Sequence, residues 1–319
     1  MRKLWVLLKL NFRAMLRAFS FRSGAGSSKK KAAGGLGALL LMAFLALYLS
    51  GVYSFLLASM LAEVGIVEMV LPLMALMACV MSLMFTLFAA SGLVFGGKDS
   101  DIVLALPVPA FTVMLSKILA LYLENLVFCG LWMLPTGAAY LVYAGLGAGQ
   151  AAGFCVRLLA AALFLPLLPS VLALLGGWVI AYFSGRMKHK SLVGTVLSIV
   201  LTGAVLVGSL QINALAAALL QNIEGVRRTL HTWLLPLGLL LDGLVGSWGA
   251  LLGFLLISLA PFLVLVWGMS TQYKRILSSL ASHVTRSDYR LREVKAGGRF
   301  AALFKKECGR YFGTTIYLL

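Results

Sequence analysis

Apolar and polar positions are segregated along this chain into long blocks. Six apolar runs stand out, at about Leu36–Met60, Met69–Phe95, Phe111–Tyr143, Val156–Phe183, Leu192–Ile212 and Ala250–Met269. Each holds about 20 residues or more, enough at ~1.5 Å per residue to cross a hydrocarbon core ~30 Å thick. The runs are rich in Leu, Ala and Met and lack the alternation of strands. The pattern therefore predicts an all-α, polytopic membrane protein with six transmembrane helices. Pro135 in the third run, and Pro166 and Pro169 in the fourth, predict kinks or breaks there.

The blocks between the runs have their own patterns. Residues 2–22, "RKLWVLLKLNFRAMLRAFSFR", predict an amphipathic helix. Lys9, Arg13 and Arg17 recur every four residues, with Trp5, Leu8, Phe12, Met15, Leu16 and Phe19 assigned to the other face. Such a helix lies in the membrane interface. "SGAGSSKKKAAGG" then reads as a flexible basic connector, which completes a cytoplasmic segment over 1–35. Residues 213–247 are apolar but punctuated, and read as two short helices broken at Pro236 and Gly238. Each is too short to span, so a re-entrant or interfacial outer hairpin is expected. The six-helix domain then covers 36–272, and a cytoplasmic segment covers 273–319.

Composition agrees with that pattern. The chain has 319 residues, of which 61% are hydrophobic and 12% charged, and a mean hydropathy of +1.00. A soluble domain carries about a quarter of its residues charged, which excludes that class. The net charge of +17 has two readings, a nucleic-acid patch or membrane topology. The distribution of the 27 Lys and Arg decides, because 24 of them fall in residues 1–35, 97–117, 185–190 and 273–319. In a six-span chain these segments share one side. That is the positive-inside pattern, so both ends are expected in the cytoplasm of a cell-membrane protein, with no nucleic-acid partner. Cys79, Cys129, Cys155 and Cys308 form no C-x-x-C and suggest no disulfide framework. His189, His231 and His283 lie in separate loops and suggest no metal site.

Four features invite a chemical reading. Gly92 to Lys98 spells G-x-x-x-x-G-K, the phosphate loop of an NTPase. That loop needs a preceding strand and a following Ser/Thr for Mg²⁺, whereas here an apolar helix precedes and Asp99 follows. The match is one of chance. Met74, Met77, Met81 and Met84 form a thioether stripe, which suits soft Cu(I). With no His or paired Cys to deliver the metal, it reads as packing. Glu124 and Arg157 are ionisable groups inside apolar runs, and so are candidates for an intramembrane pathway. The plainer readings are that Glu124 accepts hydrogen bonds from a neighbouring helix and Arg157, near the outer end of its run, snorkels to headgroups.

The stretch after Gly97 is the most informative. Asp99 or Asp101 N-caps a short helix, Pro107 stops it, and Pro109 suits the first turn of the next span. Ile102, Val103, Leu104 and Leu106 make its face apolar although it lies between spans. The run "GGKDSDIVLALPVPAFTVMLSKILALYLENLVF" resembles the first cytoplasmic loop of ABC-2-type transporter permeases, in their exporter branch. Members show K-D-x-D-x-L-x-x-L-P-[VI]-[SP], then Ser-Lys and a Tyr-bearing helix. Here Lys98, Asp99, Asp101, Leu104, Leu106, Pro107, Pro109, Ser116, Lys117 and Tyr122 match.

The resemblance implies a coupling helix over 98–110 that docks in a separate ABC ATPase subunit through Asp99, Asp101, Ile102, Leu104, Leu106 and Pro107. It implies ATP and Mg²⁺ in that partner, no cofactor in this chain, and export. The segment "RFAALFKKECGRYF" resembles the one that opens a second set of helices in the family. The chain is thus expected to be the first half of a longer permease, with a homodimer of halves as the alternative. Two other functions stand behind this one, a secondary transporter and an intramembrane enzyme, both relying on Glu124. A transporter would want several buried acids, and an enzyme a cluster of acid, base or nucleophile.

Overall fold

The computed structural model describes residues 4–11, 28–90, 94, 108–186, 199–200, 203, 206–207, 222–281 and 303–304. All regular structure among them is helical. In chain order the helices are α1 (residues 4–11), α2 (Ser28–Glu63), α3 (Val70–Ala90), α4 (Ala110–Tyr143), α5 (Ala148–Phe164), α6 (Leu167–Arg186), α7 (Ile223–Thr232), α8 (Leu235–Val245) and α9 (Trp248–Ala281). Five segments are long and apolar enough to cross a membrane: Ala43–Glu63, Val67–Met84, Phe111–Tyr143, Ala148–Val179 and Trp248–Thr271. The chain is a helical membrane protein. The predicted fifth run, Leu192–Ile212, lies outside the described residues apart from isolated positions.

Several boundaries depart from expectation. Residues 28–35 are helical, not a flexible connector. Lys and Ala are good helix formers, and the turns are propagated from the span that follows. The fourth run begins at Ala148, eight residues before the predicted start, because its first turns carry Gly and Gln that hide them in a hydropathy average. The proline effects are mixed. The chain breaks at Leu165–Pro166, between α5 and α6, but α4 runs unbroken through Pro135. In the outer hairpin the break falls at Trp233–Leu234. Pro236 sits in the first turn of α8, where its missing N–H costs nothing, and Gly238 lies inside that helix.

The links between helices are tight. Gly65, at φ +76°, ends α2, and the amides of Gly65 and Ile66 bond back to the carbonyls of Ala62 and Leu61. This is a Schellman cap, and the left-handed position is why glycine stands there. The α8–α9 turn is closer still. A Cβ on Gly243 would lie 2.8 Å from backbone atoms of Leu251. Small residues let membrane helices approach this closely.

Packing divides along the bundle axis. One apolar core, which includes Leu71, Met74, Met133, Phe154, Leu240 and Phe254, lies toward the end where α4 finishes and α9 begins. A second, which includes Met114, Ile118, Leu121, Leu174, Phe262 and Val266, lies toward the end where α4 begins. Exposed tryptophans mark both ends: Trp233 and Trp248 at one, Trp5, Trp178 and Trp267 at the other. Trp248 and Trp267 share α9, 19 residues or ~29 Å apart, close to the thickness of the hydrocarbon. Indoles prefer those two interfaces.

α1 does not simply float on a bilayer. Leu7 is buried in the second core, and the Asn11 amide donates to Ser116 Oγ at 3.1 Å. The predicted division of faces also fails at one point. Lys9 Nζ lies 5.3 Å from the Trp5 ring centroid, so the two share a face. They are four residues apart, one helical turn.

Candidate functional site: a polar layer between two apolar cores

The junction of the two cores is polar. On α4, Asn125 lies between Leu121 of one core and Cys129 of the other. Its Oδ1 accepts from Ser82 Oγ and Thr86 Oγ1 of α3. Its Nδ2 donates to Ser170 Oγ of α6 at 2.8 Å. Ser170 Oγ in turn donates to the Pro166 carbonyl at 2.7 Å, on the edge of the α5–α6 break. All four side chains are buried. An amide buried in hydrocarbon must be paired, and one Asn here ties three helices together.

A second polar contact joins α2 to α4. Ser50 Oγ donates to the Trp132 carbonyl at 2.9 Å, which also accepts from Thr136 Oγ1 at 2.8 Å. Ser54 Oγ and Thr136 Oγ1 are 3.0 Å apart and share a hydrogen bond. These hydroxyls flank Pro135, where the α4 ladder loses a donor. They supply extra donors to a carbonyl one residue past the one that Pro135 leaves without its N–H.

Glu124 sits beside Asn125 and is half-buried. Its Oε2 is enclosed and has no hydrogen-bond partner. Lys117, two turns earlier on α4, is buried. One turn after Glu124 comes Phe128 and one turn further Trp132, whose rings stack with centroids 6.3 Å apart. Trp132 Nε1 is enclosed and also without a partner. Ser258 of α9, between core residues Phe254 and Phe262, has a buried hydroxyl that is likewise unpaired.

Arg157 lies elsewhere. It is nine residues into α5, ~14 Å from the helix start, and so is not at the end of its run as expected. Its guanidinium is 5.6 Å from the Trp248 ring centroid, a cation–π contact with an indole at the bundle end. Its Nε has no partner. The Tyr122 hydroxyl donates to the Leu163 carbonyl at 2.9 Å, which sets the register of α4 against α5. In that register Arg157 lies about six residues, ~9 Å, beyond the level of Tyr122, and so about four residues, ~6 Å, beyond that of Glu124. Glu124 and Arg157 do not pair; His231 Nε2 and Asp242 Oδ2, on α7 and α8, lie 3.7 Å apart.

Met74 is buried in the first core and Met77 and Met81 pack against it, as the packing reading of the thioether stripe expects. Asp99, Asp101, Ile102, Leu104, Leu106 and Pro107 lie outside the described residues. Sequence reasoning missed Asn125 and the hydroxyl groups. The signal was present as Ser/Thr pairs four residues apart within apolar runs, Ser50/Ser54 and Ser82/Thr86.

Fold and polar layer together define a helical membrane protein whose spans are held by buried hydrogen bonds. No family model, curated protein or solved structure matches the chain.

Proposed function

We propose that the chain is the membrane-spanning permease subunit of an ATP-driven ABC exporter, which couples a separate ATPase to substrate movement. The observation that supports this reading is the seat of α1 on the beginning of α4. Leu7 and the Asn11–Ser116 hydrogen bond fasten α1 to the helix that directly follows residues 98–107. A partner that moves the 98–110 segment would move α1 and α4 as one body.

In this reading six spans cross a plasma or inner membrane, with both ends and the 98–110 segment in the cytoplasm. α7 and α8 form a re-entrant outer hairpin. A second permease half, or a second copy, completes the path. ATP and Mg²⁺ bind the partner, and this chain performs no bond chemistry. The apolar face of Ile102, Leu104 and Leu106, flanked by Asp99, Asp101 and Pro107, docks in the partner's groove.

The test is replacement of both Leu104 and Leu106 by Asp. Burying each Leu is worth ~1.5–3 kcal/mol, so the double substitution costs the docked complex about a hundredfold or more in affinity. The variant is expected to reach the membrane yet lose an ATPase subunit on co-purification. Lys98→Ala is expected to keep it. Retention of the ATPase by the double variant, or ATP binding by the isolated chain that Lys98→Ala abolishes, would overturn the reading.

A further inference from the structure

Arg157 is deep in backbone and shallow in charge. It lies well inside α5, yet its guanidinium stands 5.6 Å from the ring centroid of Trp248, the first residue of α9. The two facts agree, because helical side chains lean toward the N-terminus and α5 begins at the same end of the bundle as α9. Within the guanidinium Nε is enclosed, whereas the two terminal nitrogens are not. A Cβ at Gly153, one turn earlier, would come no closer than 4.0 Å to Nη2, so the bare glycine leaves that side of the fork clear. Among the described residues, no carboxylate stands within 4.0 Å of Arg157. Glu68 is in electrostatic reach of the same Tyr140 phenol as Arg157, but the two make no ion pair.

We infer that Arg157 holds the phosphate of a phospholipid from the leaflet at this end, with the Trp248 indole against the guanidinium and an acyl chain along the seam between α5 and α9. A guanidinium keeps its charge at any ordinary pH, and in apolar surroundings it needs an anion. The described residues supply none in contact, and the anions of a bilayer at the depth of an interfacial Trp are headgroup phosphates. The planar fork matches a phosphate through two parallel hydrogen bonds. The surface has room for the rest of the lipid. Arg157 and Trp248 meet at the rim of the contact between α5 and α9, with Phe154 and Phe254 buried behind them. On the other side of the rim Val156 of α5 is exposed, and so are Leu252 and Leu256, which continue from Trp248 at four-residue steps along α9. The cation thus heads an apolar row that already faces lipid.

The test makes no use of an ATPase, so its failure leaves the permease reading standing. Full-length chain in detergent micelles is titrated with dioleoylphosphatidylethanolamine, and bound lipid is counted by native mass spectrometry. This lipid has no net charge, so the net charge of +17 does not gather it over the whole surface as it would an acidic lipid. A saturable first site is expected, weakened about tenfold or more by Arg157→Gln. Arg157→Lys keeps a cation without the fork and is expected to recover part of that loss. Gly153→Leu leaves the charge in place but fills the space beside Nη2, and is expected to weaken binding severalfold. Dioleoylglycerol, which has the same chains and no phosphate, should not compete. Unchanged binding by Arg157→Gln in a monodisperse preparation, competition by dioleoylglycerol, or no saturable site on the wild-type chain would overturn the inference. Displacement of the lipid by inorganic phosphate would assign the fork to a free anion and overturn it as well.

Discussion

At the scale of single residues, the polar layer rests on Asn125. It is the side chain that both donates and accepts across helices, to Ser170 on one side and from Ser82 and Thr86 on the other. Interhelical hydrogen bonds in membranes average ~0.6 kcal/mol and reach ~1.7 kcal/mol, because the unfolded chain in lipid also finds partners. Asn125→Leu removes all three at once. Its hydroxyl partners can fall back on their own helices, since Thr86 Oγ1 also lies 2.8 Å from the Ser82 carbonyl. We expect a loss of about 1–3 kcal/mol, measured by denaturant titration of the detergent-solubilised chain. Ser170→Ala breaks one bond and should cost well under half as much. Equal losses would mean that Asn125 matters for packing and not for its bonds.

At the scale of elements, the closest approach is the α8–α9 turn. Ala at position 243 would press on the backbone of Leu251, which cannot rotate away as a side chain would. Gly243→Ala should therefore cost about 1–3 kcal/mol, the range for overpacking. Gly249, in the first turn of α9, has Ser247 Oγ at 3.9 Å as its nearest neighbour. Gly249→Ala should be neutral or stabilising by up to ~1 kcal/mol, because Ala is the better helix former. Thermal unfolding of the two variants side by side checks the difference. A similar fall for both would show that the hairpin is looser than its geometry.

Element type was legible in the sequence and element contact was not. The third run matched its span residue for residue, Phe111–Tyr143, because length and hydropathy alone define a spanning helix. Hydropathy averages also erase single polar residues. Asn125 vanished between Leu-rich turns, whereas Glu124 beside it was noticed only for its charge. The amphipathic pattern of residues 2–22 showed that a face existed but could not say that part of it meets α4. Proline was the least readable signal. Pro166 interrupts a helix and Pro135 does not, and nothing in the residues beside either one tells them apart.

At the scale of the whole molecule, the sidedness of the bundle is the open structural variable. The positive-inside pattern predicts Ser100 in the cytoplasm and α7 outside. In a background with the four Cys removed, Ser100→Cys should resist an impermeant maleimide applied to intact cells. Arg228→Cys, on the exposed side of α7, should react with it. The reverse labelling pattern would overturn the topology and, with it, the docking of a cytoplasmic ATPase.

The bond between Ser50 and the Trp132 carbonyl also has a history in time. A ribosome adds ~5–20 residues per second, so α2 waits some 4–16 s for the stretch of α4 that completes its contact. During that delay the hydroxyls of Ser50 and Ser54 are in lipid or in the insertion channel with no partner helix. Serine tolerates the interval, because its hydroxyl can turn back to a carbonyl of its own helix. An amide at either position carries two donors and an acceptor, and its own helix could not meet all of them. Asn125, which does carry an amide, emerges after Ser82 and Thr86 are already in place and waits only for Ser170. The order in which the polar residues are made thus spares the chain its most expensive vacancy while it is still being born.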